Sequence, residues 1–66
     1  MIHVRYDGRS VDLDPRLLAL SDAPSDREIA LALARHLDLP ADHFDLHVVD
    51  RRPDGSVVVR PEAVYG

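Results

Sequence analysis

Only one stretch of this sequence repeats its apolar residues at helical intervals, so any fold it adopts has to be built around a single helix. Ser25-Asp26-Arg27-Glu28 has the spacing of a capping box, a serine followed three residues later by a glutamate. Ile29, Ala30, Leu33, Ala34 and Leu37 then recur three and four residues apart, which gathers them into one apolar stripe. Arg35 and His36 suit the negative end of the helix dipole, and Pro40 cannot continue the backbone ladder. The spacing therefore predicts a helix over about residues 26–38. Such a stripe needs an apolar surface to lie on, and the rest of the chain has to supply it.

On both sides of the helix the period changes to two, the repeat of a strand. Ile2, Val4 and Tyr6 alternate with His3, Arg5 and Asp7; Asp7-Gly8 favours a tight turn with positive φ, and Val11 and Leu13 resume the alternation. The first 14 residues read as a hairpin closed by Pro15. Residues 16–20 show no clear period. Asp14 caps a single helical turn there with Pro15 in its first position, or else Leu17, Leu18 and Leu20 plug the core under the sheet edge.

After the helix, Phe44, Leu46 and Val48 alternate with Asp45, His47 and Val49, which predicts a third strand ending at the turn-forming run Arg52-Pro53-Asp54-Gly55. Val57, Val58 and Val59 make a fourth, β-branched strand, and Pro61 is expected to end its pairing. The pattern predicts an α+β domain over residues 1–60, ββαββ in order, followed by an extended tail over 61–66. Its four strands form a mixed sheet of order 2-1-4-3 with the helix packed on one face. The first and last strands are then parallel neighbours in the centre. Residues 11–13 and 45–49 form the edges, and both carry charges that discourage edge-to-edge pairing.

Composition removes several classes of function. The chain has 66 residues and no cysteine, so it forms no disulfide, thiolate nucleophile or cysteine-based zinc site. Eight arginines, no lysine and twelve acidic residues give a formal net charge of -4, the wrong sign for binding nucleic acid through its phosphates. The longest apolar run, Ile29 to Ala34, falls far short of a membrane span, and the N-terminus lacks a signal-peptide pattern, so a cytoplasmic protein is expected. His36, His43 and His47 are close in sequence, but helix and strand periods place no two of them on a shared surface, so no metal site is expected. With neither a nucleophile elbow nor a glycine-rich loop between strand and helix, the expectation is a cofactor-free protein that is not an enzyme.

Met1-Ile2 opening a strand, the Asp7-Gly8 hairpin, Ala23-Pro24-Ser25-Asp26 at the helix start and Leu39-Pro40-Ala41-Asp42 leading into Phe44-Asp45-Leu46 together resemble ubiquitin and its bacterial relatives, the ubiquitin-like β-grasp family. The resemblance covers most of the chain and rests on motifs of the scaffold. Two departures stand out. The region between the third and last strands is cut to a short loop around residues 50–56, with a longer loop before the helix, and the chain ends Val64-Tyr65-Gly66 in place of the Gly-Gly usual in relatives that are activated.

The resemblance implies a bacterial protein modifier whose terminal glycine, here Gly66, is adenylated and conjugated to a target or carrier protein. Val64 and Tyr65 would contact the activating enzyme as the tail enters its channel, where only a residue without a side chain passes easily. The implied partners are a ubiquitin-activating-type adenylating enzyme, a conjugating enzyme, a metalloprotease and the target. Relatives bind partners through the sheet face opposite the helix, which by alternation carries His3, Arg5, His47, Val49, Val58 and Arg60. A chain without lysine offers no side-chain amine to a further copy, as suits a single-copy tag. The alternatives are a non-covalent interaction module, in which Tyr65 is a contact in its own right, and a sulfur carrier activated as a C-terminal thiocarboxylate.

Overall fold

The computed structural model describes residues 1–62. Its strands are β1 (Ile2–Tyr6), β2 (Arg9–Leu13), β3 (His47–Arg51) and β4 (Val57–Pro61), with a single helix, α1 (Asp26–His36), between the two hairpins. They form one sheet of order β2-β1-β4-β3, antiparallel at both hairpins and parallel where β1 meets β4. Among the described residues the chain is thus an α+β unit with a four-stranded mixed sheet and one helix.

The local signals act as their chemistry requires. Asp7 and Gly8 both take positive φ, 50° and 75°, the pair of left-handed conformations that matches the twist of a two-residue hairpin. Asp14 caps a short 3₁₀ turn over Pro15–Leu18, accepting from the Arg16 N–H at 2.9 Å. Both readings of this segment hold in part, because Leu18 is buried in the core while Leu17 is exposed. Ser25 Oγ accepts the Glu28 N–H at 3.1 Å, as a helix cap should. Glu28 does not complete the box, however. Its carboxylate turns back to the Ser21 N–H and hydroxyl, both at 2.7 Å, and pins the long loop before the helix.

The helix ends at His36, two residues earlier than expected and ahead of Pro40. Asp38 adopts a left-handed conformation (φ 59°), its N–H bonds Arg35 O at 3.3 Å and the Leu39 N–H bonds Ala34 O at 2.8 Å. This satisfies the last carbonyls in the manner usually built on glycine.

The core lies between α1 and one sheet face. Ile2 and Val4 from β1, Val59 from β4, Ile29, Leu33 and Ala34 from α1, Leu18 from the 3₁₀ turn and Phe44 from the α1–β3 connection make one buried cluster. Side chains of the Leu and Ile type contribute about 1.5 to 3 kcal/mol each when fully buried, which is what holds a domain without disulfides together.

Two expectations are corrected at the β3–β4 hairpin. Residues 41–46 are consecutive turns, so β3 starts at His47 rather than Asp45. Pro61 is part of β4 and pairs with His47, and the ladder continues to the Glu62 N–H, which bonds Leu46 O at 3.1 Å. Pro61 costs no ladder bond there. The hydrogen-bonded positions toward β3 are the alternate residues, Glu62 among them, and pairing with β1 has already stopped at Val59.

Candidate functional site

The sheet face opposite α1 is assembled from alternate residues of all four strands. Direct pairings fix one row across it. Asp12, His3, Val58 and Asp50 form that row, since His3 pairs with both Asp12 and Val58, and Val58 pairs with Asp50. Two residues further along their strands, Arg5 stands opposite Ser10 and Arg60 opposite Val48. The central inward neighbours of these residues, Ile2 and Val4 in β1 and Val59 in β4, are buried in the core beneath.

His3, Arg5, Val58 and Arg60 therefore stand where the alternation expects them. His47 and Val49 do not. Val49 pairs with Val59, the fully buried centre of β4, and His47 pairs with Pro61, so both lie on the helix side. The cause is a slip of one residue. Phe44 is buried from within a turn, not from a strand, so counting the pleat from Phe44 reverses every later side chain. Val48 and Asp50 take the outer positions in their place, and Leu46, expected inside, is 78% exposed.

Charge is unevenly paired on this face. His3 Nδ1 contacts Asp12 Oδ1, and Asp50 lies 3.4 Å from an Arg52 guanidinium. Arg5 and Arg60 have no carboxylate partner among the described residues. Two unpaired arginines on the face that carries the half-buried Val48 and Val58 give it cationic and apolar character on an acidic protein. Such a surface suits a protein partner that brings carboxylates around an apolar contact. At its end a cleft of about 230 Å³ opens between Arg5, Tyr6, Gly8, Arg9, Ser10 and Pro61, where β4 leaves the sheet. Val64, Tyr65 and Gly66 lie outside the described residues.

A second constellation was missed by periodicity. Phe44, only 2% exposed, is met edge-on by Tyr6 at 5.8 Å, His43 at 5.2 Å and His47 at 4.8 Å between ring centroids. His43 and His47 thus share the ring between them, contrary to the sequence-based placement. His43 Nε2 lies 3.2 Å from Asp7 Oδ2 in the first hairpin turn. Both ring nitrogens of His47 are buried without a hydrogen-bond partner among the described residues. Burial holds the His47 pKa below the ordinary histidine value, with the neighbouring His43 adding to the effect. A phenylalanine alone among turn-forming residues, flanked by histidines one and three positions away, is the sequence signal that marks this cluster.

Among the described residues no group of three or more His, Asp or Glu is placed to hold a metal ion, and no helix is long and apolar enough to cross a membrane. No family model, curated protein or solved structure matches the chain.

Proposed function

We propose that this chain is a ubiquitin-like modifier of the β-grasp class, adenylated at Gly66 and transferred to a target or carrier protein. The observation that carries the reading is the sheet order β2-β1-β4-β3 with one helix across a single face. That arrangement makes the last strand a central one, parallel to the first, and leaves the opposite face open beside the point where the chain departs toward Gly66. The reading takes Gly66 as the carboxyl end the activating enzyme meets, whether native or exposed by processing.

The chemistry is that of carboxylate activation. The Gly66 carboxylate attacks the α-phosphorus of ATP and releases pyrophosphate; a thiol or amine of the acceptor then attacks the acyl adenylate, forming the thioester or amide and releasing AMP. The chain itself supplies the carboxylate and the docking surface, and the adenylating enzyme supplies the catalysis. Arg5, Arg60, Val48 and Val58 are the residues assigned to docking, with Val64 and Tyr65 as tail contacts. A conjugating enzyme, a metalloprotease that reverses the linkage and a cytoplasmic setting belong to the same proposal.

The test is the intact mass of the protein after incubation with ATP, magnesium and a candidate adenylating enzyme from its own operon. An adenylate, or a covalent adduct that disappears when Gly66 is deleted, supports the modifier. If the two proteins bind and no adduct forms, the second reading takes over. In that reading the chain is a non-covalent interaction module, favoured by the same unpaired arginines on the outer face.

A further inference from the structure

We propose that residues 41–46 form an acid-released strap, seated on the sheet by Phe44 and let go when His47 takes up a proton. The geometry is a short run of turns with one anchor. The His43, Asp45 and His47 N–H groups close successive turns on Pro40, Asp42 and Phe44 carbonyls at 3.0, 3.1 and 3.0 Å, and Phe44 is the only buried side chain among residues 41–46. The strap crosses the end of β1, where Tyr6 meets the rings of Phe44 and His43, and its outer fastening is the His43–Asp7 contact at 3.2 Å.

His47 sits at the joint between strap and β3. Its imidazole packs on Phe44, and among the described residues neither nitrogen makes a hydrogen bond of good geometry, so the charged ring leaves two buried N–H donors unmet where the neutral ring leaves one. The charged and titratable groups around it do not supply one. From the strap, His43 repels an imidazolium, and Asp45 is exposed at the surface of the adjoining cleft. From α1, Arg27 lines that cleft as a cation, while Asp26 is bound to Arg51 at 2.7 Å. β1 and its turn bring the Arg5 backbone and Asp7, which favour the charged ring, but Asp7 is already in contact with His43. β4 brings Pro61 opposite His47.

The contact between His43 and Asp7 is screened by water, the Asp7 side chain being 58% exposed. A charged His47 instead carries its extra proton on ring nitrogens buried against Phe44. Because burial lowers the His47 pKa in the folded protein, the unfolded chain binds the proton more readily. Its contribution to stability is present above the ordinary histidine pKa and is lost as pH falls through the folded value. The cost falls on a segment held by a single buried side chain, so opening is local.

Nuclear magnetic resonance of the intact protein between pH 7.5 and 4.5 tests this directly. The His43 and His47 ring signals give the two titrations, and hydrogen exchange at the Asp45 and His47 amides reports the strap. The Leu37 amide, bonded to Leu33 O at 2.9 Å, reports the core. The expected result is a His47 titration below the ordinary histidine range, with protection lost at Asp45 and His47 across it and kept at Leu37. His47→Leu and, should that variant fail to fold, His47→Gln are expected to hold strap protection constant over the same range. A His47 that titrates at or above the ordinary value, strap protection that ignores its titration, or simultaneous loss at Leu37 would each overturn the proposal.

Discussion

Val49 lies directly across the β3–β4 ladder from Val59, the fully buried centre of the last strand. That pairing settles which side of β3 belongs to the core. It puts Val49, His47 and Arg51 toward the helix and leaves Val48 and Asp50 outside, where Val48 stands opposite Arg60. Arg51 uses the inward position to reach the helix start, donating to Pro24 O at 2.9 Å and to Asp26 at 2.7 Å.

Aspartate substitutions at the two neighbouring valines should therefore behave differently. Val49→Asp removes an apolar contact with the fully buried Val59 and places a carboxylate at the wall of the cleft it shares with Phe44, and is expected to cost about 1 to 3 kcal/mol. Val48→Asp places the same group on the open face next to Arg60 and should change stability by less than about 0.5 kcal/mol. Urea unfolding of both variants checks this, and equal losses would contradict the register.

Leu33 is fully buried at the centre of the helix stripe, in the cluster that includes Ile2, Val4 and Val59. Leu33→Ala removes its methyl groups and leaves a cavity that so small a domain fills only in part. A loss of about 2 to 5 kcal/mol is expected, a large share of what a 66-residue fold holds in reserve. Chemical denaturation measures it, and an unchanged midpoint would remove Leu33 from the core.

The sequence was most legible where signals are local. The Asp7-Gly8 turn, the Ser25 cap and the helix stripe each act within a few residues, and the alternation in β1 and β4 placed Arg5, Val58 and Arg60 on their observed face. It failed where the chain changes period. Phe44 reaches the core from a turn, so nothing in the alternation of Phe44, Leu46 and Val48 distinguishes it from an inward strand residue. One displaced residue then exchanged His47 and Val49 for Val48 and Asp50. The helix end was misattributed for a related reason, because Pro40 is the obvious stop and the left-handed Asp38 is not.

Asp38 provides a stabilising substitution. At φ 59° an aspartate is strained relative to glycine, and its negative charge adjoins the C-terminal end of α1, which favours cations. Asp38→Gly is expected to raise stability by about 0.5 to 1 kcal/mol, the gain at a left-handed cap outweighing the freer unfolded chain. For a domain of this size that is a rise in Tm of roughly 2 to 8 °C, readable by calorimetry.

The acid limb of the stability curve has an identifiable contributor at Asp14. Side-chain and backbone hydrogen bonds from Arg16 hold its carboxyl at about 2, well below the ordinary 3.8. A lowered carboxylate pKa means that the unfolded chain binds protons more readily. Its contribution is present above the ordinary carboxylate pKa of 3.8 and is lost as pH falls toward about 2. Arg16→Ala should make stability less steeply dependent on pH in that window, and salt should weaken the effect, because Arg16 is fully in water. Thermal unfolding across pH 2 to 5, at low and high salt, distinguishes this from a change confined to neutral pH.

Arg5 and Arg60 test the proposed docking face without disturbing what lies beneath it. Both point away from the helix, and neither has a carboxylate partner among the described residues, so charge reversal breaks no internal pair. Arg5→Glu and Arg60→Glu are expected to leave the unfolding midpoint within about 0.5 kcal/mol of the parent. If the proposed function holds, each should weaken binding to the adenylating enzyme by about threefold to tenfold at low salt, acting mainly on the association rate, with the difference shrinking as salt rises. The double variant should lose more than either alone, since both arginines stand on the one face proposed to meet the partner. Titration calorimetry at two salt concentrations measures all three proteins. Unaltered affinity with an intact fold would move the docking site off this face and toward the cleft between Arg9 and Pro61 where β4 ends.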